Sequence, residues 1–176
     1  MTIDLELPEV ETIRHVLDRE IADRKVKKVE LASMATLSRY RNRKSFAAQV
    51  EGRKLGPVRR IGLTLVTKLD GEDLLVIRPG AGSWIRRHAA RDAVAPGTEV
   101  TITFTIGGQV RLVDPDGTSD LCVVGADELL VEFPDLAAAN AIQDSDAIKA
   151  LVAEFDRCWQ NRVKRSREVI EIVQSL

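Results

Sequence analysis

The chain has 176 residues, 44% hydrophobic and 30% charged, with a formal net charge of −1, the profile of one soluble globular domain with a small helical appendage. No apolar run approaches the roughly 20 residues that span a bilayer, and the N-terminus lacks a signal peptide's basic start and apolar middle. The two cysteines, Cys122 and Cys158, have neither CxxC spacing nor nearby histidine pairs, which argues against a zinc site. A cytoplasmic protein without metal or cofactor is expected.

The small net charge hides a segregation. Residues 24–91 carry 17 Lys and Arg against 5 Asp and Glu, whereas residues 92–156 carry 2 against 13. A basic block of this size attracts a polyanion, or it faces the acidic block or solvent within the fold.

In chain order, Pro8 suits the first turn of a helix and Glu9 and Glu11 favour its positive end. Val10, Ile13, Leu17 and Ile21 recur at helical spacing, which predicts a helix over about 8–22. "RKVKKVEL" (24–31) reads as a strand. The basic stretch from Ser33 to Arg60 reads as a long loop with short strands. "IGLTLVTKL" (61–69) alternates, and Asp70-Gly71 offers a turn into "DLLVIR". In "EVTITFTIGGQVRLVD", Val100, Ile102, Phe104 and Ile106 point one way and three threonines the other, before Gly107-Gly108 reverses the chain. "SDLCVVG" is a further strand with Cys122 as a buried thiol. Trp84 has the chemistry to stack on a base, but a lone tryptophan after a strand is more often core and is read so. His15 and His88 are read as helix surface or loop.

Beyond residue 136 the pattern turns helical. Asp144 or Ser145 caps a stripe of Ile148, Leu151, Val152, Phe155 and Trp159, and a second stripe runs from Val163 to Val173. The expected fold is α+β, mainly β: a two-layer antiparallel β-sandwich with a leading N-terminal helix and a C-terminal helical segment. The expected units are 1–136 and 137–176.

Four pieces in order carry a kinship: "LELPEVETIR", "EGRKLGPVRRIGLTL", "VIRPGAGSWIRR" and "VRLVDPDGTSDL". They resemble the "PELPEVE", "GR.I..V.RRGKYL", "HLGMSG" and "DPRRFG" stretches of the formamidopyrimidine-DNA glycosylase / endonuclease VIII family, across residues 5 to about 124. The resemblance implies a β-sandwich followed by a helix–two-turn–helix domain, which residues 142–176 match only in its first helices. It also implies base excision repair chemistry, with N-glycosylase and abasic-site lyase steps on damaged double-stranded DNA.

Carried over residue by residue, that chemistry is incomplete. The family's nucleophile is the amine of an N-terminal proline. Leu5 holds that place inside a peptide bond, where an amide nitrogen cannot attack. Glu6 matches the family's proton-transfer glutamate, or is an ordinary glutamate beside a helix start. Gly62 stands where the family has a hairpin lysine, and Ala81 stands at the wedge position that fills the gap left by a flipped base. Asp116, Gly117 and Thr118 replace the arginines and phenylalanine after Asp114-Pro115.

Three functional classes follow. A DNA-binding pseudoenzyme would hold phosphates with Arg41, Arg43, Lys44, Arg59, Arg60, Arg86 and Arg87. A residual glycosylase or lyase would use the Thr2 amine, after loss of Met1, together with Glu6. An interaction module would form a homo-oligomer or bind a helical partner through 142–176. Binding ranks above catalysis, because the substitutions at Leu5, Gly62, Ala81 and the turn after Pro115 occur together.

Overall fold

The computed structural model describes residues 7–129, 133 and 157. The chain divides after Leu136, and the helical stripes expected beyond it lie outside the described residues, as do Thr2, Leu5, Glu6 and Cys158.

Helix α1 (Leu7–Ile21) carries the predicted stripe, and Val10, Leu17 and Ile21 are almost wholly buried. Eight strands follow in two four-stranded antiparallel sheets, the expected sandwich. One sheet has the order β1 (Val26–Leu31), β6 (Thr98–Phe104), β7 (Gln109–Val113), β5 (Trp84–His88). The other runs β2 (Leu55–Ile61), β3 (Thr64–Leu69), β4 (Asp73–Arg78), β8 (Asp120–Gly125). Val100, Ile102, Val110 and Leu112 of the first sheet form one core with Leu65, Leu75, Ile77 and Leu121 of the second and with α1.

The basic stretch read as loop contains a helix, α2 (Arg43–Val50). The Asn42 side chain caps it by accepting from the Ser45 N–H at 2.9 Å. Phe46 and Val50, one turn apart, are buried, and Tyr40 meets Phe46 edge to face at 5.3 Å between ring centroids. Each helix lies against one edge strand of each sheet: α1 against β2 and β5, α2 against β1 and β8. Edges left open would expose unpaired backbone groups.

Other departures from the sequence reading are local. The run from Ile61 to Leu69 is the end of β2, a turn at Gly62-Leu63, and β3. Ile106 is 83% exposed rather than inward, because β6 ends at Phe104 and the chain has entered the turn. β5 was not foreseen as a strand, and Trp84 at its start is half-buried rather than core. His15 is exposed on α1 and Cys122 is buried in β8, as expected. No described helix is long and apolar enough to cross a membrane, and no described cluster of His, Cys, Asp or Glu could hold a metal.

Candidate nucleic-acid interface

Four stretches separated in sequence meet at one end of the sandwich. The start of α1 is tied to the β2–β3 hairpin, where Arg60 Nε donates to Glu11 Oε2 at 2.7 Å and Arg60 NH1 donates to the Gly62 carbonyl at 2.8 Å. Ile61 pairs with Thr64 to close that hairpin, and Leu65 pairs with Ile77. The tip therefore lies at the end where β4 runs out into residues 79–83. That loop packs on the turn after β7: the Gly80 N–H donates to Ser119 Oγ at 2.8 Å, and the Ser119 N–H to Asp114 Oδ2 at 2.6 Å.

The segment 32–42 joins the same end. Ser38 N–H and Oγ both donate to Asp120 Oδ1, and Leu121 N–H donates to the Thr36 carbonyl. The Tyr40 hydroxyl donates to Gln49 Oε1 at 2.7 Å and accepts from the Val123 N–H at 2.9 Å. Its burial pushes the phenol pKa up.

Two glycines are demanded by this geometry. A Cβ on Gly80 would strike Thr118 Oγ1 and come within 2.6 Å of Ser119 N, so only glycine permits the two loops to close. Gly62 has φ +58° while Leu63 stays in the ordinary region, the pattern of a II′ hairpin, which takes glycine first. A lysine at position 62 would be strained.

Glu11 is the hub between α1 and β2. It accepts from Arg14 Nε at 2.8 Å as well as from Arg60, and Arg14 NH1 reaches the Val58 carbonyl. Burial pushes its carboxyl up, but the hydrogen bonds and charges of the two arginines outweigh this and hold it below its ordinary 4.5. Asp18 extends the seam by accepting from the Val58 N–H at 2.8 Å.

The predicted basic residues are not one patch. Arg59, exposed on β2, has no ion-pair partner among the described residues, whereas Arg60 beside it is half-buried on Glu11. On the other side of the same end, Arg41 and Lys44 are exposed. Arg43, also exposed, donates to the Leu31 and Ala32 carbonyls at 2.8 and 3.0 Å. Arg86 and Arg87 on β5 stand apart from this group. Arg87 belongs to the opposite end, where NH2 donates to the Gly107 carbonyl at 3.0 Å and NH1 lies 3.4 Å from Glu20.

Of the residues facing this end, Asp116 and Thr118 are exposed and Asp114 is buried. Sequence reasoning missed Arg39 and Arg78, whose guanidinium carbons lie 4.3 and 4.5 Å from the centroid of the buried Phe133 ring. No local pattern marks them, since the contact joins residues more than 50 positions apart.

This sandwich is the fold seen in solved DNA glycosylase complexes. The Lactococcus lactis Fpg bound to DNA containing N7-benzyl-Fapy-dG superposes with a TM-score of 0.69 at 20% identity, over 74% of this chain and 48% of that one. The same enzyme bound non-covalently to DNA with an abasic site gives 0.68, over 74% and 49%. The chain belongs to the formamidopyrimidine-DNA glycosylase family, whose N-terminal domain model matches residues 5–119. The formamidopyrimidine-DNA glycosylase of Enterococcus faecalis is 30% identical over 109 residues, 62% of this chain and 38% of that protein. The chain thus spans less than half the length of the relatives it matches.

Proposed function

We propose that this chain binds duplex DNA through the loop end of its sandwich and has lost the amine chemistry of its family. Arg59, Arg41 and Lys44 take phosphates, while Arg60 and Arg43 fix the segments that carry them. The β2–β3 hairpin is the observation that supports this reading. At the lysine position it carries a glycine at φ +58°, with Arg60 folded back onto Glu11 and onto the Gly62 carbonyl. Such a turn leaves Arg59 for phosphate. The loss of amine chemistry rests on Leu5, which stands within a peptide bond where the family's proline offers its amine.

The test is borohydride trapping on a duplex with one abasic site, beside a salt titration of equilibrium binding. The expected result is no covalent band, next to a proline-bearing family enzyme that does cross-link, together with binding that weakens steeply as salt rises. A covalent band would overturn the loss of chemistry and make the Thr2 amine, with Glu6, the nucleophile to pursue. Undetectable or salt-insensitive binding would remove the DNA role.

A further inference from the structure

We propose that the outward face of β5 is a stacking site for an unpaired nucleobase of single-stranded nucleic acid, built from Trp84 and Arg86. β5 is an edge strand whose Ile85 is buried in the core. Alternation therefore turns Trp84, Arg86 and His88 to the outside. Trp84 is half-buried and Arg86 exposed, with the Arg86 guanidinium carbon 5.0 Å from the centroid of the Trp84 ring. The His88 ring continues the stripe, 6.1 Å from Trp84 and tilted by 41°.

The electrostatics favour an anion on this face. Among the described residues no carboxylate pairs with Arg86. Directly opposite it on β7 stands Arg111, 1% exposed, which donates to the Ala93 and Asp92 carbonyls at 2.6 and 2.7 Å and, among the described residues, to no acid. Like charges facing each other across a strand pair disfavour the sheet, and a bound phosphate relieves that repulsion. Of the acids that line the cavity at Arg111, Glu30 is paired with Lys28 at 2.6 Å and Glu99 accepts from Ser33 Oγ at 2.6 Å, while Asp92 accepts from the Ala89 N–H at 2.7 Å and faces His88 Nδ1 at 3.8 Å. It is engaged at the His88 end, away from Trp84.

A guanidinium lying over an indole has the chemistry to stack a base on the open plane of the pair and to hold a phosphate on its N–H fork. Bases within a duplex have both faces covered by their neighbours, so the ligand is a single strand. Alternate residues on a strand repeat about every 6.6–6.8 Å, so the stripe runs along an extended polynucleotide rather than across it. The site starts where residues 79–83 enter β5 and runs away from the loop end along the sheet face, and it does not rest on duplex binding there.

The experiment uses the full chain and a labelled oligothymidylate, read by anisotropy. A second readout uses the Trp159→Phe variant, in which Trp84 is the only indole. The expected results are saturable quenching of Trp84 emission by the oligonucleotide but not by inorganic polyphosphate. Affinity should fall roughly ten-fold in each of Trp84→Ala and Arg86→Gln, with Trp84→Phe nearly unchanged and duplex affinity unaffected. Absence of quenching, equal quenching by polyphosphate, or wild-type affinity in the Arg86→Gln and Trp84→Ala chains would overturn the proposal. Should Trp84→Ala fail to fold, the quenching and the Arg86→Gln affinity decide it. Loss of duplex binding alone would strike the loop-end reading and leave this one standing.

Discussion

The two ends of the sandwich use arginine in opposite ways. At the end holding the β3–β4 and β6–β7 turns, Arg24 donates to the Gly107 carbonyl at 3.1 Å and Arg87 to the same carbonyl at 3.0 Å. Arg53 there grips Asp73 at 2.5 Å and Asp70 at 3.1 Å. Those hydrogen bonds and charges outweigh its slight burial and raise its pKa further, while Arg53 in turn lowers the carboxyl of Asp70. These guanidinium groups are consumed in holding turns. At the loop end Arg59 and Arg41 are exposed, with no carboxylate on them among the described residues. A positive total is therefore a poor guide to a binding surface. What matters is which cations the fold has already neutralised, and a planar arginine fork left unpaired suits phosphate better than a lysine point charge.

The comparison is broken most severely at Gly80. In Gly80→Ala the new methyl collides with Thr118 and Ser119, so the two loops must part, at about 2–3 kcal/mol. Urea denaturation should show that loss, and duplex binding should weaken with it.

Next comes the Glu11–Arg60 pair, half-exposed and so worth less than a buried one. Arg60→Ala should cost about 1–2 kcal/mol. The folded-state pKa of Glu11 is lowered, so its contribution is complete above the ordinary 4.5 and is lost as pH falls through the lower folded value. A stability–pH curve should accordingly flatten on its acid side in Glu11→Gln, and an unchanged curve would show that the pair does not tie α1 to β2.

Gly62→Lys should cost about 1 kcal/mol because the side chain must take a left-handed backbone. Trapping on abasic DNA should stay negative, since no free proline amine is restored. The smallest effect on folding, and the most telling one for function, is Arg59→Ala. Stability should stay within about 0.5 kcal/mol of the wild type, while the salt slope of duplex binding falls by about 1. The same substitution at Arg53 should do the reverse, loosening the β3–β4 turn with little change in that slope.

The parts of the fold legible in the sequence were those specified by local spacing. Val10, Ile13, Leu17 and Ile21 announce α1, and the alternation into Gly107-Gly108 announces the β6–β7 hairpin. Helix α2 escaped because eight residues with only Phe46 and Val50 buried make a weak pattern, although Asn42, three residues before Ser45, was a cap signal. β5 escaped because an edge strand with two arginines shows too few apolar positions. Pairings such as β1 with β6 and β5 with β7 join distant segments, and no window reading reaches them. At the candidate site the changed residues were plain from the motifs. Which arginines were spent on carbonyls and carboxylates was not, since their partners lie up to 83 positions away.

The seam helices carry a consequence for synthesis. α1 leaves the ribosome before its partner strands, of which β5 begins only at residue 84, and β1 waits for β6 at residue 98. During that interval the apolar stripe of α1 and the unpaired edges of β1 and β2 stand uncovered. Long-range closure of this kind slows folding and prolongs exposure to wrong partners. Until β7 and β8 have emerged, the nascent chain lacks strands that both sheets need to close. Translation pauses placed before residue 84 should lower the soluble yield more than pauses placed after residue 125.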